Sequence, residues 1–160
     1  MSETRSIKEQ ITAAVAARLR EITVANGYQV DVAEVVRPRR TGEHFAPVNL
    51  GISIIQGNAT RANEYDLASN PPVIAWRLGV ACDCVIMLSE TSEVAMDTAL
   101  NQFEADVQKC LMVDPTFGGL ALLAELGEVT YPDWLTGGEG VTVWIYITYR
   151  VSEDDPYEQR

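Results

Sequence analysis

The sequence predicts an α+β fold: a mostly antiparallel sheet with two packed helices, in the order α-β-β-β-α-β-β. Three observations predict it. Two stretches repeat apolar residues every three or four positions, the period of a helix facing a core. Five others alternate at period two or run continuously apolar between turn residues, as strands do. The strands come in runs interrupted by helices rather than in strict βαβ alternation, which points away from a parallel doubly wound sheet. With 160 residues, 47% of them apolar, the chain is expected as a single domain over 1–160. Residues 1–5 are expected to be mobile, and 152–160 to form an acidic mobile tail.

The first helix is expected over 7–25. Ser6 and Glu9 have the spacing of a capping box. Ile7, Ile11, Val15, Leu19 and Ile22 follow at helical spacing, and Asn26-Gly27 supplies a left-handed stop. Glu34 to Arg37 reads as a short strand ended by Pro38, and 48–56 as a second with Leu50, Ile52 and Ile54 alternating. Residues 57–72 have no clear period and are expected as a connection of about sixteen residues, long enough to suggest a function. The next strand could run from Val73 to Leu88, too far to stay flat, so a bend or bulge is expected near Gly79. Ser92 is the expected cap of a second helix carrying Met96, Leu100, Phe103, Val107 and Leu111, which stops before Asp114-Pro115. Leu120–Tyr131 and Val141–Val151 close the order as an antiparallel pair, joined through the glycines at 137, 138 and 140.

The last strand carries large apolar groups on both faces. Val141, Val143, Ile145, Ile147 and Tyr149 point one way, while Trp144 and Tyr146 point the other. A sheet with one solvated face does not require this. Either the helices cover one face and another subunit part of the other, or the helices are split between faces.

Twelve basic and twenty-three acidic side chains leave a net charge of −11, which argues against wrapping duplex phosphates over a broad face. The charge is lopsided. Residues 1–61 hold eight basic and six acidic groups (+2), and residues 62–160 hold four and seventeen (−13). Apolar runs are interrupted by Arg77, Asp83 or Arg150 well before the ~18 residues of a membrane span. The N-terminal stretch lacks the pattern of a secretory signal. Three cysteines, an odd number, fit a reducing compartment.

Cys82 and Cys84, two apart on a strand, share the apolar row with Val80 and Ile86, with Asp83 on the opposite face. Zinc sites usually take paired cysteines from a tight turn and need about four ligands, and only Cys110 and His44 remain to join them. Buried free thiols are therefore expected. His44 sits in a polar loop, and the common phosphate, dinucleotide and zinc-protease signatures are absent. No catalytic, cofactor-binding or metal-ligating residue is indicated. The arginines at 37, 39 and 40 concentrate positive charge on an acidic chain, and arginine forks bind carboxylate or phosphate bidentately. Arg37, Arg39, Arg40, Asp83, Trp144 and Tyr146 are the candidate residues for a partner interface, Asp83 facing either a neighbour's arginine or water.

Several motifs occur in a familiar order: Asn26-Gly27-Tyr28, Val35-Val36-Arg37-Pro38, Val48-Asn49-Leu50-Gly51-Ile52, Asp106-Val107 running into Asp114-Pro115, Gly118-Gly119, Val143 to Arg150, and Asp155-Pro156-Tyr157. Over nearly the whole chain this resembles phage tail terminator proteins, the lambda-type minor tail protein family. The resemblance implies a small α+β assembly subunit and no enzyme. It implies a homo-oligomer, a hexameric ring, that caps the tail tube protein, stops its polymerisation and offers a surface to the head-tail connector. DNA would be passing cargo, no cofactor or membrane would be involved, and the location would be the neck end of the virion tail, with assembly in the host cytoplasm. The alternatives are another neck or tail-completion protein or, in a different class, a Cys-dependent enzyme or small-ligand-binding domain.

Overall fold

The computed structural model describes residues 4–38, 50–86, 95–131 and 139–160. The elements are α1 (Ile7–Leu19), β1 (Glu34–Val36), β2 (Leu50–Arg61), β3 (Val73–Ile86), α2 (Met96–Leu111), β4 (Leu123–Thr130), β5 (Glu139–Ser152) and β6 (Asp155–Gln159), with short 3-10 turns at Val24–Asn26 and Asn63–Tyr65. The sheet order is β1-β2-β3-β5-β4, and β6 pairs with β5. Only β1 and β2 run parallel; the other described pairs are antiparallel. The α+β class and the expected element order both appear, with β6 added at the end. The segments holding Arg39, Arg40, His44, the Ser92 cap and the Gly137-Gly138 turn lie outside the described residues.

The first helix starts as its sequence implies, with Ser6 Oγ accepting from Glu9 N–H at 3.2 Å. It ends earlier than expected, at Leu19. Ile22, Thr23 and Val24 form a β-branched run that disfavours helix, and the Thr23 hydroxyl instead caps the 3-10 turn that follows. Gly27, at φ 92°, then takes the left-handed conformation that L side chains avoid. Ile22 stays fully buried all the same. The apolar period read the buried side correctly and the helix end wrongly.

Both helices lie on one face of the sheet. Ile11, Val15 and Leu19 of α1 and Phe103, Val107 and Leu111 of α2 share one cluster with Ile52, Val80, Cys82, Val143, Ile145 and Ile147. The inward rows of β2, β3 and β5 come into register there: Ile52 pairs with Cys84 and Ile54 with Cys82, which in turn opposes Val143. At ~25 cal/mol per Å² of apolar surface removed from water, this side supplies most of the stabilisation.

Three expectations are corrected along the chain. Strand β2 does not end at Gln56 but continues to Arg61, and a 3-10 turn follows, so most of 57–72 is no open loop. The irregularity near Gly79 lies in the partner strand: all fourteen residues of β3 pair with β5 in unbroken register, while β2 bulges between Gln56 and Ala59, opposite Gly79. The acidic C-terminal segment enters the sheet, Ser152 pairing with Asp155 and Val151 with Gln159. Its turn is held by the Ser152 hydroxyl donating to Asp154 at 2.6 Å.

Candidate functional site

The face of the sheet away from the helices carries a groove of ≈ 680 Å³ lined by Asn58, Thr60, Arg77, Gly79, Gly127, Glu128, Trp144 and Tyr146. Its floor is aromatic. Trp144 and Tyr146 alternate with the buried Val143, Ile145 and Ile147 on β5 and so project from the opposite face. Their ring centroids are 6.2 Å apart and their planes differ by 13°.

Three glycines make room for the rings. A Cβ on Gly57 would meet Trp144 Cζ3 at 3.2 Å, and one on Gly79 would meet Tyr146 Cε1 at 3.2 Å and Trp144 Cζ3 at 3.4 Å. A Cβ on Gly127 would run into Tyr146 Cε2, with Cδ2 at 2.9 Å. Bulges in the two flanking strands place two of these glycines. In β2, Gly57 and Asn58 together oppose Gly79; in β4, Gly127 and Glu128 together oppose Trp144. Each bulge thus contributes one glycine beneath a ring and one polar side chain, Asn58 or Glu128, to a wall.

A guanidinium lies over part of this floor. Arg77 of β3 holds its Cζ 4.8 Å from the Tyr146 ring centroid, and its Nη2 donates to Glu125 Oε2 of β4 at 3.3 Å. Because β5 lies between β3 and β4, the ion pair reaches across Tyr146. Both partners are about half exposed, so the pair contributes little to stability. It helps keep the guanidinium within cation–π distance of the ring.

The sequence-based candidates separate. Trp144 and Tyr146 form the floor. Arg37 is elsewhere, forked onto Glu9 of α1 at 2.6 and 3.0 Å; this bond holds the Glu9 carboxyl below its ordinary range and raises the guanidinium. Glu9 therefore binds Arg37 rather than completing a capping box. Asp83 shares the outer face but is only 8% exposed, and it accepts from the Thr142 hydroxyl at 2.7 Å. Beside it in register, Ser53 Oγ is buried with no hydrogen-bond partner among the described residues.

Arg77, Glu125, Glu128, Asn58 and Thr60 were not singled out by sequence. A usable signal existed in Gly79 and Gly127 inside strand-like stretches and in Gly57 at the end of another, since such glycines mark bulges or close approaches.

The thiols face the other way. Cys82, Cys84 and Cys110 are free and buried in the core. Burial, foremost, pushes Cys82 up to about 12 and raises Cys84 and Cys110 as well, the reverse of what an activated thiolate needs. Among the described residues no group of three or more His, Cys, Asp or Glu could hold a metal ion, and no helix is long and apolar enough to cross a membrane. No family model matches the chain, and no curated protein is significantly similar to it in sequence.

Proposed function

We propose that this chain is a phage tail terminator, a ring-forming virion assembly protein. It caps the tail tube, stops its polymerisation and presents the head-tail joining surface. The observation that supports this best is the order of the family-like motifs along one α+β unit, together with the local tasks those residues perform. Asn26 and Gly27 end the 3-10 turn that follows α1. Asp106 of α2 accepts from the backbone N–H groups of Gln29 and Val30 at 2.7 and 2.9 Å, tying α2 to the segment that leads from the 3-10 turn to β1. Asp114 accepts from Thr116 N–H, Thr116 Oγ1 and Gly118 N–H, which holds its carboxyl at about 2 and shapes the turn through Gly118 and Gly119 at φ 73° and 88°. The Val143–Arg150 motif forms the central part of β5, between β3 and β4.

In this reading copies of the chain form a hexamer at the neck end of the tail, with tube protein below and connector protein above, and DNA only passes through. The acidic excess suits such a passage, since it does not hold phosphates. Electron microscopy of the purified protein mixed with tail tubes tests the reading: a six-fold ring at one tube end is expected, and bare tube ends at saturating protein overturn it.

A further inference from the structure

The groove on the outer face repeats one arrangement twice, the second time incompletely. Around Tyr146 three parts are present: the ring, the carboxylate of Glu125 directly opposite it on β4, and the guanidinium of Arg77 on β3, which bonds the carboxylate and lies over the ring. Arg77 pairs in register with Thr148, two residues beyond Tyr146. Shifting the pattern by two residues along β5 centres it on Trp144. The carboxylate opposite is then Glu128, set there by the bulge, and the position corresponding to Arg77 is Gly79, which pairs with Tyr146. Ring and carboxylate recur, but glycine stands where the arginine was. Glu128 is exposed, and among the described residues neither it nor Trp144 has a cation against it.

We propose that Trp144 and Glu128 receive an arginine side chain from a separate, basic protein partner, its guanidinium stacked on the indole and forked onto the Glu128 carboxylate. Indole is the strongest of the aromatic faces for a cation. Arginine suits the site better than lysine because its planar fork stacks and pairs at once, and Arg77 already sets one guanidinium both over Tyr146 and on Glu125. A phosphate backbone is disfavoured: Glu128 lines the groove, the arginine that lines it, Arg77, is already paired with Glu125, and the chain carries −11 overall. Arg18, Arg37, Arg61, Arg77 and Arg160 are ion-paired within their own chain, so a second copy would have to break a pair to offer any of these five. The contact does not depend on what the protein caps.

The test uses NMR of the full chain, following the indole N–H signal of Trp144, assigned by its loss in Trp144→Phe. Three otherwise identical glycine-serine peptides are titrated, carrying one arginine, one lysine or one citrulline, the last keeping the shape of arginine without its charge. The arginine peptide shifts the signal, the lysine peptide does so more weakly, and the citrulline peptide leaves it in place. Glu128→Gln weakens the arginine peptide about fivefold, the effect of one exposed ion pair, and flattens its salt dependence, with an unchanged melting temperature showing an intact fold. Citrulline or maltose binding as well as arginine overturns the proposal, as does a short oligothymidylate moving the same signal. Undiminished binding by Glu128→Gln does so too. Loss of self-association in Glu128→Gln reassigns the groove to a second copy and equally overturns it.

Discussion

Strand β5 has two faces that solve the same problem differently. On one, Val141, Val143, Ile145 and Ile147 are fully buried beneath α1 and α2. On the other, Trp144 and Tyr146 stay partly exposed and lie against Gly57, Gly79 and Gly127. The helix-covered face depends on shape-matched burial of many residues. The open face depends on the removal of side chains, three glycines and two bulges letting two large rings settle close to the backbone. Large rings on the second side of the strand are thus seated on the chain's own glycines. The alternatives drawn from sequence, helices on both faces or a subunit on the second, left out an aromatic side chain that covers its own sheet.

The comparison is broken or upheld most strongly by adjacent residues of one strand. Ile145→Ala removes a fully buried side chain from the centre of the cluster, and such truncations cost about 2–5 kcal/mol. Trp144→Phe, next in sequence on the open face, withdraws the far edge of the indole from Gly57 but removes only part of a partly exposed apolar surface, and is expected to cost less than about 1.5 kcal/mol. Urea unfolding of both variants measures the difference. Equal losses would mean that the open face is a second core.

A smaller effect is expected from the glycines. In Gly127→Ala the new methyl meets the Tyr146 ring edge, whereas in Gly79→Ala the nearest ring atom is at 3.2 Å. Overpacking costs typically about 1–3 kcal/mol, so Gly127→Ala should fall in that range and Gly79→Ala below it. Near-ultraviolet circular dichroism should change with Gly127→Ala, since the ring must tilt away from Trp144. An unaltered spectrum would mean that Tyr146 does not rest on Gly127.

The two faces were also unequally legible in the sequence. The helix-covered side announced itself through period: Cys82 and Cys84 were expected inward beside Val80 and Ile86, and they are there, at 0% and 1% exposure. The second half of β2 was read as loop because Asn58, Thr60 and Arg61 are polar and exposed, and no alternation marks a strand whose order comes from pairing with β3. For the same reason the acidic residues of β6 gave no sign of pairing. On the open face the aromatic residues stood out by size. Their carboxylate and arginine neighbours did not, because the register that joins Arg77, Tyr146 and Glu125 is a property of three strands. Two bulges shift that register in ways no local period records.

The least effect, and the one most specific to the covered face, is a dependence on alkaline pH. A thiol whose pKa is raised on folding stabilises the native state fully below its unfolded value and loses that contribution as pH rises toward the folded one. For Cys82 that window runs from 9.0 to about 12, with burial as the main cause, and Cys84 is shifted in the same direction. Unfolding free energy should therefore fall between pH 8 and 10, by on the order of 1 kcal/mol per thiol at pH 10. Tyr28, raised to about 12, adds a similar slope above pH 10, so the thiols are isolated by comparison with a Cys82→Ala/Cys84→Ala variant. That variant starts from lower stability because of the cavities it opens, but its stability should decline less steeply from pH 8 to 10. Parallel slopes would mean that the thiols ionise as readily in the fold as in the unfolded chain, and that the covered face admits water along this row.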